Sequence, residues 1–188
     1  MRKGIRRVPI AIAVMLGGLL LAGCNENASA DPDAPAWPPG ASGIACNDLS
    51  FDQVEQTLGV RFAVFGGSSR DEVHTCALTT ADAEFPDLVL SITGTTTTDT
   101  IFQATVAPAG AAVLKDPGRI AYRHAIAAGG KRGPIVEIGW LTNKGRLLFL
   151  RYTFPRGADQ SAVDALAAKL IDLAKAIDTA VGQPVVAG

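Results

Sequence analysis

The residues that could bind a ligand or take part in catalysis lie mainly in the second half of the chain. A short turn at 143–145 joins two predicted strands, and counting outward from it places Glu137 opposite Arg151. A carboxylate that faces a guanidinium across two strands forms an ion pair, or it orients a bound polar group. Phe149 lies on the same face of the sheet. This face is therefore a candidate ligand-facing wall.

Histidine is the second candidate for chemistry, and the chain has only two. His124 shares a strand face with Tyr122, and both join the candidate ligand-facing group. A pair of His124 with Glu137 is one acid–base arrangement that the fold could assemble. His74 shares a strand face with Cys76. Because structural histidines are far commoner than catalytic ones, we predict no catalytic residue and expect the protein not to be an enzyme.

Motifs for nucleophilic, metal or phosphate chemistry are not found. The chain has no G-x-S-x-G, S-x-x-K or H-E-x-x-H motif. The glycine-rich stretch 129–133 lacks the spacing of a phosphate-binding loop and is typical of a solvated hairpin turn. The polar stretch 66–71 is predicted to be a loop. The threonine-rich stretch 93–100 is interpreted as a strand end and helix cap, or as a glycosylation site. We expect no metal and no cofactor.

The predicted strands and helices that carry these residues form an α+β pattern. Six segments have the length and apolar content of strands: 61–65, 73–80, 88–96, 119–127, 134–142 and 146–154. Ser50 and Gln53 form a capping box that begins an N-terminal helix, and Gly59 ends it. A long amphipathic helix is predicted over 159–179 and a short helix over 99–106. Because short loops join the last strands, we predict a single antiparallel sheet of about five to six strands. The N-terminal and long C-terminal helices pack on one face of it.

The turn at 143–145 also predicts which residues face the core. In this register three pairs share one face: Trp140 with Leu148, Ile138 with Leu150, and Val136 with Tyr152. Glu137 and Arg151 lie on the opposite face, with Gly139 beside Phe149. Because this second face mixes charged and apolar residues, it is either half-covered by a helix or a shallow ligand wall.

The beginning of the chain carries an export signal. Basic residues and an apolar run over 8–22 lead to the sequence L-A-G-C, which ends at Cys24. The run is shorter than the roughly 20 residues that span a bilayer as a helix. This pattern resembles the lipobox of bacterial lipoproteins, in which the cysteine is diacylated and the peptide is cut before it. A signal peptide cut near 28–30 and an uncleaved membrane anchor are the alternatives.

The lipobox resemblance implies a protein anchored to the cell membrane, on its extracytoplasmic side, by a diacylglyceryl group on Cys24. It divides the chain into a signal peptide (1–23), a lipidated cysteine with a Pro/Ala-rich tether (24–45), a globular domain (46–180) and a tail (181–188). Four of the 17 basic residues leave with the signal peptide, so 13 remain against 18 acidic residues. That balance gives no support for nucleic-acid binding.

Cysteine usage fits an oxidising compartment. With Cys24 lipidated, Cys46 and Cys76 are the cysteines that remain. Disulfides persist outside the cytosol, so we predict that these two residues pair. A reactive thiol or a metal-binding pair is the alternative.

The order of these features resembles that of a known family. The mature chain is similar to small actinobacterial, mycobacterial-type cell-envelope lipoproteins, a disulfide-containing family of unknown function related to extracytoplasmic sensor domains of membrane kinases. The features that carry the resemblance are Cys24, Cys46, the Leu58-Gly59 helix end, Cys76 and the Ala-rich helix over 159–179. The family implies no catalytic residues.

Three functions remain as hypotheses. The first is a non-enzymatic lipoprotein that binds a small molecule or lipid on an open apolar sheet face. The second is an accessory lipoprotein that contacts another cell-envelope protein through an exposed apolar patch. The third is a hydrolase, which requires a perturbed histidine or carboxylate beside a nucleophile in a cleft. We favour the first and expect a monomer.

Overall fold

The computed structural model of the chain describes residues 44–181. The predicted signal peptide, Cys24 and nearly all of the tether lie outside this range, as does the tail after 181. The helices are α1 (Ile44–Asn47), α2 (Phe51–Leu58), α3 (Asp99–Ile101), which continues as a π-helix (Phe102–Val106), and α4 (Gln160–Val181). The strands are β1 (Val64–Arg70), β2 (Val73–Thr79), β3 (Asp87–Gly94), β4 (Ala112–Leu114), β5 (Ile120–Ile126), β6 (Ile135–Leu141) and β7 (Arg146–Thr153).

Within residues 44–181, seven strands form one antiparallel sheet in the order β1-β2-β3-β7-β6-β5-β4. The predicted α+β class with a single antiparallel sheet is confirmed, but the expected count of about five to six strands is too low. The missed strand is β4, which has three residues and pairs with β5 at the sheet edge. Val113 in its middle is 72% exposed, so no burial pattern marks this strand in the sequence.

The first strand lies later in the chain than predicted. The strand expected at 61–65 and the loop expected at 66–71 are wrong, because β1 covers Val64–Arg70 and pairs along its whole length with β2. Its side chains are mostly exposed at the sheet edge, so main-chain hydrogen bonds hold it in place. The chain then reverses at Asp71, which has a φ of 54°. Glycines and serines therefore form an edge strand without an apolar signal.

The helices α2 and α4 pack on one face of the sheet. Ser50 Oγ accepts a hydrogen bond from the main-chain N of Gln53 at 3.4 Å, which confirms the predicted cap, and Gly59 ends α2 with a φ of 72°. Apolar residues of both helices share one core with the sheet face that carries Trp140. Nε1 of Trp140 also donates a hydrogen bond to Oδ1 of Asp178 in α4 at 3.0 Å. The predicted placement of both helices on one face is therefore confirmed.

Cys46 and Cys76 form the predicted disulfide. Cys46 lies in the single turn α1, and Cys76 lies in β2, where both are buried. The bond joins residues that are 30 positions apart. It fastens the helical N-terminal segment to the sheet and reduces the conformational freedom of the unfolded chain.

Candidate functional site

The sheet face opposite α2 and α4 carries the candidate site. The predicted register of the last hairpin is confirmed, with Glu137 opposite Arg151 and Gly139 opposite Phe149. A second, smaller core lies on this face and is formed by Phe102, Ile120, Tyr122 and Leu141. The π-helix that contributes Phe102 covers one part of the face, and the neighbouring part borders a cavity.

Strand pairing brings the candidate residues into two neighbouring rows across the sheet. The first row contains, in spatial order, Val89, Arg151, Glu137 and His124. The second row contains Ser91, Phe149, Gly139 and Tyr122. Directly paired residues of antiparallel strands share a face, so the central strands β3, β7, β6 and β5 each supply two residues to one surface.

Glu137 is the centre of a hydrogen-bonded network on this surface. Its side chain is 7% exposed, whereas that of Arg151 is 49% exposed. Oε1 of Glu137 accepts a hydrogen bond from the hydroxyl of Tyr122 at 2.7 Å. Oε2 accepts hydrogen bonds from Nε and Nη2 of Arg151 at 3.0 and 2.6 Å. A buried carboxylate is costly unless it is paired and hydrogen-bonded, and here a phenol and a guanidinium satisfy it. The predicted ion pair is present, and a tyrosine hydrogen-bonds to its carboxylate.

Gly139 makes room for this network, a role that the sequence analysis missed. A Cβ atom at this position would lie 2.5 Å from Cε1 and Cζ of Tyr122 and 2.7 Å from its hydroxyl. The tyrosine side chain therefore lies directly over the glycine, and its hydroxyl reaches Glu137. A glycine inside a strand often marks such a close approach, so the glycine within the apolar stretch 135–141 was the available signal.

Tyr122 acts in this network as a hydrogen-bond donor. It is buried, and its ring centroid lies 5.8 Å from that of Phe102. Burial raises the pKa of Tyr122, and the hydrogen bond to Glu137 raises it further. The hydroxyl therefore keeps its proton at neutral pH, which suits a donor to a carboxylate and does not suit a base.

The short helix α3 forms the start of a cover over this face. Thr98 is its cap, because its hydroxyl accepts a hydrogen bond from a main-chain N–H of the first turn at 3.3 Å. Arg119 holds the same end, since its Nε lies 2.8 Å from Oδ1 of Asp99 and its Nη2 donates to the carbonyl of Thr97 at 2.7 Å. The predicted short helix over 99–106 and its threonine cap are therefore confirmed.

The second part of the cover is a π-helix, which the sequence analysis did not predict. It is closed by a hydrogen bond from the main-chain N of Ala107 to the carbonyl of Phe102 at 2.9 Å. Phe102 is fully buried against the sheet, and Val106 at the other end borders the cavity. Single π-turns are rare and are frequent at functional sites. The wider turn here joins the buried Phe102 to the partly buried Val106 at the edge of the cavity.

The cavity between the sheet and this cover has a volume of about 380 Å³. Its apolar lining consists of Val89, Val106, Pro108 and Phe149, and its polar lining consists of Ser91, Tyr122, Glu137 and Arg151. The structure thus brings together four of the five residues predicted to face a ligand. The fifth, His124, lies beside Glu137 in the same row but does not line the cavity. Within residues 44–181, the hydrogen bonds of the Glu137 carboxylate go to Tyr122 and Arg151 instead.

A larger and more open depression lies at the end of the sheet near His74. It has a volume of about 730 Å³ and is bordered by polar residues that include Asp71, Glu72 and Arg146. Nδ1 of His74 lies 2.8 Å from Oγ of Ser69 at the protein surface. Among the described residues, no carboxylate hydrogen-bonds to this histidine. The pair therefore lacks the third group that orients a catalytic serine and histidine.

Metal-binding clusters and membrane-spanning helices are both absent from residues 44–181. No group of three or more His, Cys, Asp or Glu side chains in this range is placed to hold a metal ion. No helix in the same range is long and apolar enough to cross a membrane.

Neither a protein-family model, nor a curated protein, nor a solved structure matches the chain. The site itself is therefore the basis for a functional proposal.

Proposed function

We propose that the protein is a membrane-anchored bacterial lipoprotein whose extracytoplasmic domain binds a small molecule or lipid without transforming it. The cavity beside Arg151 is the observation that carries this proposal. Its volume of about 380 Å³ falls within the range of roughly 300–1,000 Å³ that is typical of small-molecule sites. Four of its eight lining residues are apolar, and the other four carry polar groups that would orient a ligand.

The polar groups of the cavity support binding rather than catalysis. Glu137 already accepts hydrogen bonds on both oxygens, so it is poorly suited to take a proton from a substrate. Tyr122 donates to that carboxylate, and its raised pKa keeps it protonated. The hydroxyl of Ser91 lies 3.4 Å from that of Thr75 rather than beside a base. None of the polar residues that line the cavity is therefore arranged as an activated nucleophile.

Ligand binding is tested by native mass spectrometry of the full chain, purified without denaturant from a bacterial host and carrying its disulfide. We expect a reproducible small-molecule adduct that organic solvent releases. Ser91→Leu places an apolar side chain in the cavity, so we expect this variant to lose the adduct. A wild-type protein with no adduct, whose mass also stays unchanged after incubation with lipid extracts, would contradict the proposal and favour an accessory role in protein contacts.

Thr75→Leu is the matched control for Ser91→Leu. Thr75 is paired with Ser91 on the adjacent strand and lies on the same sheet face, but it does not line the cavity. Both variants lose the same hydroxyl–hydroxyl contact. Only Ser91→Leu fills the cavity. An adduct that disappears equally in both variants would show that a change of strand stability, not occupation of the cavity, removes it.

The anchor is supported by the amino-acid sequence alone, through the basic residues, the apolar run over 8–22 and the L-A-G-C sequence, since Cys24 lies outside the described residues. Cys24→Ser removes the thiol that would receive the diacylglyceryl group. Intact mass spectrometry of the membrane fraction is expected to show lipid mass on the wild type and none on this variant. A variant that lacks Cys46 and Cys76 should keep the lipid, which separates acylation from disulfide formation. A wild-type chain that begins after 28–30 contradicts the anchor.

A further inference from the structure

The proposed function does not specify the chemical class of the ligand. The charged groups of the cavity limit which classes fit. We propose that the ligand is an uncharged amphiphile whose oxygen acceptor, in an ester, amide, ether or alcohol group, meets the guanidinium of Arg151. This inference rests on the proposed function and extends it. The apolar part of the ligand would lie along the walls formed by Val89, Phe149 and Pro108.

The charged groups of the cavity already neutralise each other. Among the residues that line it, Glu137 and Arg151 are the charged ones, and they are bound to each other at 2.6 Å. A cation would find both oxygens of the carboxylate in use and would lie close to the guanidinium. An anion would lose its hydration to reach a guanidinium whose charge Glu137 already balances. An uncharged ligand avoids both penalties.

The hydrogen-bonding capacity that remains on the guanidinium of Arg151 is that of a donor. An arginine side chain carries N–H groups on Nε, Nη1 and Nη2 and no acceptor. Glu137 uses Nε and one N–H of Nη2, which leaves the other N–H of Nη2 and both N–H groups of Nη1 for another acceptor. The side chain of Arg151 is 49% exposed, so part of the guanidinium is reachable from the cavity mouth. A ligand group that meets the guanidinium must therefore supply the acceptor.

The size of the cavity limits the apolar part of the ligand. A volume of about 380 Å³ lies near the lower end of the range for small-molecule sites, roughly 300–1,000 Å³. This volume suits one short chain or a compact ring system better than a lipid with two long chains. Phe149 from the sheet and Val106 from the π-helix both line this space.

The test compares octanol, octanoate and octylammonium, which share one chain length and differ in charge. Each is titrated into the oxidised full chain at neutral pH while the Nε–H resonance of Arg151 is followed by NMR. This resonance reports on the cavity and not on the predicted signal peptide. We expect saturable shifts with octanol and an affinity for it at least about tenfold higher than for either charged probe.

The outcomes separate the inference from the proposed function. Octanoate or octylammonium binding at Arg151 as tightly as octanol would overturn the uncharged class and leave the binding function standing. No saturable shift with any of the three probes would overturn both. A shift with octanol alone supports both.

A pair of charge-neutral variants tests whether Arg151 supplies the donor. Glu137→Gln combined with Arg151→Met removes the guanidinium without leaving a buried charge, and we expect the affinity for octanol, measured by calorimetry, to fall roughly ten- to a hundredfold. Asp172→Asn combined with Lys175→Met makes the same charge change on α4, away from the cavity, and should not alter it. Unchanged octanol affinity in the first variant would overturn the placement of the acceptor at Arg151.

Discussion

Replacement of Arg151 by methionine tests whether the guanidinium holds a buried carboxylate. In Arg151→Met, Glu137 keeps the hydrogen bond from Tyr122 but loses the two from Nε and Nη2, which are 3.0 and 2.6 Å long. Methionine retains an unbranched apolar side chain, so the packing of the stem against the sheet is largely preserved. The main change is therefore the loss of a charged partner.

The magnitude of the effect follows from the exposure of the two side chains. Removing one partner of a fully buried ion pair costs about 3–5 kcal/mol. Here the side chain of Glu137 is 7% exposed but that of Arg151 is 49% exposed, so solvent already weakens the attraction and reaches the carboxylate after the change. We therefore expect the free energy of unfolding to fall by about 2–3 kcal/mol.

Urea denaturation at constant pH measures this change. Glu137→Gln combined with Arg151→Met also removes the carboxylate charge and keeps an oxygen that accepts from Tyr122, so we expect it to regain all but about 1 kcal/mol. Arg156→Met, at an exposed position after β7, is the control and should change stability by less than about 0.5 kcal/mol. The reasoning is refuted if Arg151→Met costs no more than Arg156→Met, or if the double variant is the least stable of the three.

Three further predictions concern the disulfide, Gly139 under the ring of Tyr122, and the partly buried Asp48. Replacing Cys46 and Cys76 by alanine should lower the free energy of unfolding by roughly 3–4 kcal/mol, because the bond joins residues 30 positions apart. A loss below about 1 kcal/mol in urea denaturation against the oxidised wild type would contradict this. Gly139→Ala should displace the ring of Tyr122 and cost about 1–3 kcal/mol. A spectrophotometric titration should then show one of the two tyrosines ionising at lower pH than in the wild type, and an unchanged titration would contradict the displacement. Burial raises the pKa of Asp48 above its ordinary value of 3.8, so the folded state binds more protons than the unfolded state around and between these two pKa values, and the protein loses stability as the pH rises through that window. Asp48→Asn should therefore stabilise the protein at pH about 7 and do so less as the pH falls toward about 4, and a gain that is equal at both pH values would show that the charge is not the cause.

Capping and turn rules, which act within a few residues, predicted helices and strands of the core and the Glu137–Arg151 pair of the site. The turn at 143–145 determined the register of β6 and β7, which placed Glu137 opposite Arg151. Ser50 and Gly59 likewise determined the bounds of α2 through interactions within a few residues. These features were predictable because their causes lie within short stretches of chain.

The edges of the sheet could not be predicted in the same way. The exposed strand β1 and the three-residue strand β4 are held by main-chain pairing to a neighbouring strand. Main-chain hydrogen bonds do not depend on side-chain type, so neither edge carries the apolar alternation from which the inner strands were recognised. The sequence around 66–71 indicated a loop for this reason, although it pairs as a strand.

The contacts within the site were beyond local rules because they join residues that are far apart in the chain. Tyr122 reaches Glu137 only when β5 pairs with β6 in one register and Gly139 leaves space under the ring. The π-helix then packs Phe102 on that tyrosine. Each of these contacts is conditional on the one before it.

The mixed face nevertheless marked a candidate site before its cover was known. A glutamate and an arginine in the centre of a sheet cannot both be left without partners, since a buried charge must be paired. In the network that contains this pair, both oxygens of Glu137 accept hydrogen bonds, and Arg151 keeps spare donors. A pair whose purpose was stability alone could be replaced by apolar residues at little cost. The guanidinium instead lies half-exposed at the border of a cavity, where the proposed ligand would meet it.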